Sequence, residues 1–220
     1  AKAEEKLEQL EGFERRGLVL ALLTKLKQIC NHPDQFVKDD NYNAKDSGKF
    51  QILKELCQTI YEKRERVLVF TQYKELCGPL ANYLEMIFNR KGFIIHGGIS
   101  PKKRTEIVDK FNDPNHYVPF IILSLKAAGT GLNLVSANHV IHFDRWWNPA
   151  VENQASDRAY RIGQTKEVFV HKLVSNGTIE EKIDQLIQSK QELANSVLAA
   201  SQESWITELS NDELLKLLRL

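Results

Sequence analysis

The amino-acid sequence predicts an α/β fold built on a doubly wound parallel sheet, and three observations carry that expectation. Short apolar runs such as Val67-Leu68-Val69-Phe70 read as strands buried on both faces. Between them, apolar residues recur at the spacing of amphipathic helices. The residues best equipped for chemistry fall just after the strands, where ligands gather in sheets of this kind. The alternation occupies residues 49–176. A helical lead-in with a polar loop precedes it over residues 1–48, and further helices follow over residues 177–220.

Composition narrows the function classes. The chain has 220 residues, 42% of them hydrophobic, enough for one sizeable domain with appendages. Net charge is +1, so any nucleic-acid footprint must be local rather than global. Cys30, Cys57 and Cys77 are odd in number and widely spaced. They form neither a disulfide framework nor a zinc pattern, which fits a reducing compartment, and no metal-ligand set is expected. No apolar run reaches the length of about 18 residues that a membrane span needs, and the charged start AKAEEKLEQLEGFERR lacks a signal-peptide core. The chain is expected to be monomeric.

Taken in order, residues 1–30 read as helix, with a stripe at Leu18, Leu22, Leu26 and Ile29. Asn31-His32-Pro33 ends it, because proline lacks a donor and disfavours helix just before itself. His32 has no ligating neighbour in sequence and reads as a loop histidine. Residues 34–48 are polar and read as a loop. Ser47-Gly48-Lys49 invites a phosphate-loop reading that fails, since Asn43 and Phe50 stand where that motif needs Gly and Ser or Thr. No acidic magnesium box accompanies it.

From Lys49 a helix carries Leu53, Leu56 and Ile60, and the strand Val67–Phe70 leads to Thr71-Gln72-Tyr73. A helix with Leu76, Leu80, Leu84 and Ile87 precedes a strand, Phe93–Ile95, and a His96-Gly97-Gly98 turn. Ser100 and Pro101 suit the N-cap and first position of a helix ending near Phe111. Lys102-Lys103-Arg104 at its start reads equally as a phosphate contact or a solvated face. After the strand Val118–Leu123 comes SLKAAGTGLNL, residues 124–134, whose Gly129 and Gly131 allow conformations a Cβ would block. On its own that run is a structural turn. His139–Phe143 is the next strand.

Residues 144–164 read DRWWNPAVENQASDRAYRIGQ. Pro149 suits a first helical turn, and no breaker follows until Gly163. The spacing predicts one helix with Gln154, Arg158 and Arg161 on one face. An amide and two guanidiniums suit a phosphoryl group in transfer; the plain alternative is a solvated face with Asp157 pairing locally. Trp146-Trp147 could stack on bases or pack, and beside Asp144 and Pro149 packing that holds the arginine helix is favoured. Val168–Val174 alternates as a strand. Thr178 with Glu181 forms a capping box for a helix carrying Ile179, Ile183, Leu186, Leu193 and Val197, and Ser210 with Glu213 a second box before a leucine-rich tail.

The Gln154, Asp157-Arg158 and Arg161-Ile162-Gly163-Gln164 pattern closely resembles motif six of the Swi/Snf group of superfamily-two helicase-like ATPases. The resemblance extends, in order, to Cys30-Asn31-His32-Pro33 at the lobe boundary, Phe70–Tyr73 (motif four), Ser124–Leu134 (motif five) and Asp144–Pro149. Ala128 stands where many relatives have Gly. What this implies is the second, RecA-like (P-loop NTPase-type) lobe of a helicase core, with brace helices at its C-terminal side. By resemblance Arg158 and Arg161 would be arginine fingers, and Gln154, Gly131 and Asn133 would meet the nucleotide. Thr71, Gln72, His96, Gly97, Lys102, Lys103, Arg104, Ser124 and Lys126 would lie toward the DNA backbone. Asp144, Trp146, Trp147 and Asn148 would couple the two.

The implied cofactor is ATP with Mg²⁺. The implied partners are double-stranded DNA and a first lobe holding the phosphate loop, magnesium ligands and water-activating acid, so the chain alone is expected to be inactive. Asp157, where many strand-separating helicases have Gly, favours a translocase or remodeller. The alternatives are the lobe of a strand-separating DNA or RNA helicase, or a non-catalytic DNA- or protein-binding module. The tail SWITELSNDELLKLLRL looks prokaryotic. The setting this resemblance implies is cytoplasmic and nucleoid-associated for a prokaryotic source, nuclear for a eukaryotic one.

Overall fold

Strand β1 (Val67–Thr71) has no polar side chain before Thr71, and all its residues are buried. β3 (Phe120–Ser124) and β4 (His139–His142) are buried throughout as well. Strands of this kind fit only where both faces of a sheet are covered, so they take its middle. β1 pairs in parallel with β3 on one side and β4 on the other, Val67 lying opposite both Phe120 and His139. With β2 (Phe93–Ile95) and β5 (Phe169–Lys172) at the edges, the order is β2-β3-β1-β4-β5, all parallel. The chain turns one way after β1 and the other way after β4. The crevice between their carboxyl ends is therefore the switch point of the sheet.

The computed structural model describes residues 10, 12–129, 131–194, 210, 211, 213 and 214. They divide into two compact units, residues 43–173 around the sheet and a helical unit drawn from residues 1–42 and 174–220.

In the sheet unit, α3 (Gly48–Glu62) starts where Ser47 Oγ accepts the Phe50 N–H at 3.4 Å. Ser47-Gly48 is thus a helix cap, and Lys49 is buried with its ammonium 5.6 Å from the Phe143 ring centroid. Phe50, Leu53, Cys57 and Ile60 form the inward face, with Cys57 taking the place expected for Leu56. α4 (Cys77–Phe88) buries Leu80, Leu84 and Phe88. α5 (Pro101–Asn112) begins at the expected cap, Ser100 Oγ accepting the Lys103 N–H at 3.4 Å, and buries Ile107 and Phe111. Gly92 lets α4 return closely to β2: a Cβ there would sit 2.3 Å from the Phe120 ring. β5 is shorter than the alternation predicted and mostly exposed.

In the helical unit, α1 (Gly12–Asn31) buries Val19, Leu23, Lys27 and Asn31. The predicted stripe is one residue out of phase, and Ile29 is exposed. Two polar residues occupy inward positions that an apolar pattern rejects; Asn31 Nδ2 donates to Gln35 Oε1 at 3.1 Å. Residues 34–48 are not all loop, for α2 (Pro33–Val37) and a 3-10 turn at Ala44–Asp46 lie within or beside them. His32 is buried, and its Nδ1 caps α2 by accepting the Asp34 N–H at 3.1 Å. α8 (Ile179–Ala194) packs on α1 and buries Ile179, Ile183 and Ile187.

The first capping box is offset by one residue: Thr178 Oγ1 accepts the Glu180 N–H, and Glu181 Oε2 accepts the Gly177 N–H. The second forms as expected between Ser210 and Glu213. The Leu193 side chain, Val197 and the leucine-rich tail apart from residues 210, 211, 213 and 214 lie outside the described residues. No helix among the described residues is long and apolar enough to cross a membrane.

Candidate functional site

α6 (Leu125–Ala128) is a single turn after β3, and α7 (Pro149–Ser156) follows β4. α7 begins as the sequence predicts, with Asn148 Oδ1 accepting the Ala150 N–H at 2.9 Å and Pro149 in the first position. It then stops at Ser156, which corrects the expectation of one helix reaching Gly163. Arg158 and Arg161 therefore do not share a helical face with Gln154. The cause is tertiary. Arg158 O accepts the Leu134 N–H at 2.9 Å, and Gln164 Nε2 donates to the carbonyls of Val135, Ala137 and Ala159. The Arg158 and Ala159 carbonyls are thereby drawn away from helical partners, and Gly163 turns the chain at φ +103°.

Gln154, Arg158 and Arg161 nevertheless line one open groove of about 850 Å³. Among the described residues lining it, Asp157 is the one carboxylate against Arg158, Arg161 and Lys166. Arg158 is buried, and its Nε has no hydrogen-bond partner among the described residues. Burial, then the neighbouring Arg161 charge, pulls its pKa below the usual arginine value, against the pull of Asp157. Arg161 Nη1 donates to Gly131 O at 3.3 Å, joining the two-glycine loop to the groove, with Gly131 at φ +72°. Asn133 lies on the same loop, its carbonyl accepting from Asn112 Nδ2 at 2.8 Å. A concave, water-facing cluster with donors in excess is suited to a polyanionic phosphate.

At the switch point the residues expected to face DNA divide into committed and free. Thr71 is fully buried: its hydroxyl donates to Asp144 Oδ2 at 2.5 Å and accepts the Tyr73 N–H. It is an internal anchor rather than a surface contact. Asp144 Oδ1 accepts the Gln72 N–H at 3.0 Å, while Gln72 Nε2 is buried without a partner among the described residues. Ser124 sits beside Thr71 in register and is buried, whereas Lys126 is exposed. His96 Nδ1 accepts the Gly98 N–H at 3.0 Å. Arg104 spends its donors on the carbonyls of Ile99, His96 and Gly97, so it shapes the His-Gly-Gly turn. Lys102 and Lys103 are exposed, with Lys103 3.4 Å from Glu106.

The tryptophan turn contains the residue that the sequence reading missed. Glu152 on α7 is fully buried, with Oε1 3.0 Å from Arg145 Nε and 2.7 Å from the Trp146 N–H. Trp147 is buried and Trp146 packs on the sheet core, as the packing alternative held. The available signal was an Arg and a Glu seven residues apart bracketing an apolar turn. His142, stacked on Phe70, is also buried. Ser156 Oγ donates to Glu152 O at 3.1 Å, so the His142 Nε2 at 2.9 Å from that hydroxyl carries the proton. Burial lowers the His142 pKa to about 4.

This geometry has counterparts in known proteins. Residues 48–163 match the helicase conserved C-terminal domain family. The Sulfolobus solfataricus SWI2/SNF2 ATPase C-terminal domain aligns with 100% of this chain at TM-score 0.80 and 40% identity, and 89% of that domain is covered. The chain is a Swi2/Snf2 C-terminal helicase lobe. The same Swi2/Snf2 lobe aligns with the S. solfataricus SWI2/SNF2 ATPase core in complex with dsDNA at TM-score 0.83 and 41% identity, covering 45% of that chain.

Among curated relatives, it is 48% identical over 213 residues to YwqA of Bacillus subtilis (strain 168), whose name places it with ATP-dependent helicases/translocases. That match takes in 96% of this chain and 23% of YwqA. It is 37% identical over 203 residues to the DNA repair and recombination protein RAD54-like of Drosophila erecta, covering 81% of this chain and 26% of that one. The Swi2/Snf2 lobe thus spans about a quarter of the length of these relatives.

Proposed function

We propose that this lobe is the C-terminal half of an ATP-driven motor that tracks along double-stranded DNA, with the groove at Gln154, Arg158 and Arg161 as its contribution to the nucleotide site. The observation that carries the reading is the buried Arg158 guanidinium, its Nε without a hydrogen-bond partner among the described residues, beside a second arginine in a groove whose described lining holds one carboxylate. A site of that charge is poised for a phosphate that arrives from outside. The Sulfolobus core, similar over the whole chain, is described in complex with dsDNA, which supports the choice of polymer.

Bound ATP with Mg²⁺ would supply the phosphoryl group and the neutralising cation. Arg158 and Arg161 would hold the charge developing on that group, and Gln154 would orient a phosphate oxygen. The Gly131–Asn133 loop, tied to Arg161, would close over the nucleotide. Lys102, Lys103 and Lys126 would meet backbone phosphates. Thr71, Asp144 and Arg104 would act from inside by fixing the strand ends and the His96-Gly97 turn. The phosphate loop, the magnesium ligands and the water-activating acid belong to the partner lobe on this reading, so the isolated lobe would not turn over ATP.

The test is ATP hydrolysis by this chain and by the intact protein, each with and without linear duplex, single strands and RNA. The expected outcome is silence from the chain and stimulation of the intact protein by duplex above the other polymers. Arg158→Ala or Arg161→Ala in the intact protein should lower turnover by about 10³-fold or more. Retention of more than about a tenth of the wild-type rate would remove the finger role, and preferential stimulation by single strands or RNA would move the protein to the strand-separating helicases.

A further inference from the structure

The sheet has a second end, opposite its switch point. The turns that lead into β2, β3 and β1, three neighbouring strands, lie there. Arg64 stands three residues before β1, Tyr117 three before β3 and Arg90 three before β2. Tyr117 ties the row together. Its hydroxyl donates to Glu65 O at 2.9 Å, and the Arg66 and Arg90 guanidiniums lie 5.8 and 5.9 Å from its ring centroid. Burial raises the Tyr117 pKa, and the charges of Arg66, Arg90 and Arg64 oppose that rise, so three cations gather about one phenol.

Arg66 is committed: Nη1 donates to Phe111 O at 2.7 Å, and Nη2 to Asp113 O and His116 O. Lys63, Arg64, Arg90 and Lys91 are different. All four are exposed, and their side chains make no hydrogen bond or ion pair among the described residues. The two carboxylates in these turns are engaged elsewhere, Glu65 by His139 and Asp113 by His116, each at 2.7 Å.

Arg64 also holds an unfavourable backbone. It ends α3 at φ +52°, its N–H donating to Tyr61 O and the Glu65 N–H to Ile60 O, each at 3.0 Å. Glycine suits that left-handed position, and an arginine there is strained. Asn89 ends α4 in the same conformation at φ +47°, with Arg90 and Lys91 in the turn that follows. The half-charge at a helix carboxyl end attracts a cation. Here each of two ends carries a pair.

We propose that Lys63, Arg64, Arg90 and Lys91 form a second duplex-binding surface, which takes the phosphates of a DNA segment other than the one at the switch point. Exposed guanidiniums and ammoniums in a row suit backbone phosphates and read no bases. Duplex is the polyanion that the Sulfolobus complex already supports. The occupant is a separate segment because the five residues of β3 hold the two ends of the sheet about 17 Å apart, and duplex is stiff over about 150 base pairs. A rod held at one end does not bend round to the other. The surface goes beyond the motor reading and shares with it only the polymer.

The experiment loads the intact protein onto tethered linear duplex and measures capture of a second, labelled duplex of unrelated sequence. Wild type should capture it. The combined variant Lys63→Ser, Arg64→Gly, Arg90→Ser and Lys91→Ser should lose at least tenfold in capture. Its affinity for the tethered duplex and its duplex-stimulated turnover should stay within twofold of wild type. Arg64→Gly alone should lower capture severalfold while its melting midpoint equals or exceeds that of wild type, since glycine relieves the backbone strain.

Absence of capture by wild type overturns the proposal, as does capture that is unchanged in either variant or lost only in step with melting. Preferential capture of labelled polyglutamate over duplex would give the surface to an acidic peptide and overturn the duplex assignment. A wild type that captures two duplexes without duplex-stimulated turnover would instead remove the motor reading and leave this surface standing.

Discussion

Thr71 reaches across the sheet to Asp144, 73 positions later in the chain, and both are fully shielded from water. Thr71→Val removes one donor from a buried carboxylate, so stability should drop by about 1–3 kcal/mol, read as a lower urea midpoint with an unchanged slope. Nothing local in the sequence announces that contact. The motif resemblance drew attention to both residues but sent Thr71 outward, because a hydroxyl at a strand end looks the same whether it meets a phosphate or a carboxylate.

His142 teaches the same lesson through pH. Its folded pKa lies at about 4 against an ordinary 6.5, so as pH falls the unfolded chain takes the proton first. The stability tied to neutral His142 is complete above about pH 6.5 and is lost progressively down to about pH 4, a total of roughly 3 kcal/mol. Denaturant titrations at pH 7.5 and pH 5 should show the decline, and His142→Phe should flatten that part of it.

Among the elements, starts were easier to read than ends. Asn148-Pro149 and Ser100-Pro101 carry their caps within the first turn, and both helices begin where those residues place them. Asn148→Ala should cost about 1 kcal/mol in a thermal melt, with the loss confined to α7 in its exchange pattern. The end of α7 was illegible because the competition is set by distant chain: the Leu134 N–H takes the Arg158 carbonyl, and the nearby Gln164 amide is held in place by the Val135 and Ala137 carbonyls. The phase of α1 was lost for a related reason. Leu18-Leu22-Leu26 and Val19-Leu23-Lys27 are stripes of equal spacing, and only burial of Lys27 and Asn31 tells them apart. The groove survived the error in α7, since the turn after Ser156 delivers both arginines to the side of Gln154.

For the whole molecule, the alternation of apolar strands and helices was enough to read a parallel sheet, but not its order, which depends on which way each crossover runs. A motor of the proposed kind grips duplex mainly through phosphates. The intact protein should bind unrelated duplex sequences with similar affinity, and its Kd should rise about 10³–10⁵-fold between 50 and 200 mM salt if it makes about 6–10 such contacts. A shallow salt slope would argue for base reading instead. The strand order also bears on how the chain is made. Of the five strands of this sheet β1 is synthesised first and is the central one, yet its neighbours β3 and β4 begin only about fifty and seventy residues later. At about 5–20 residues per second, Val67–Thr71 waits several seconds on the ribosome with both edges bare. An uncharged VLVFT segment is then open to pairing with another nascent copy, so slow translation or crowded polysomes should penalise the yield of this lobe, and a holdase bound between β1 and β3 should restore it.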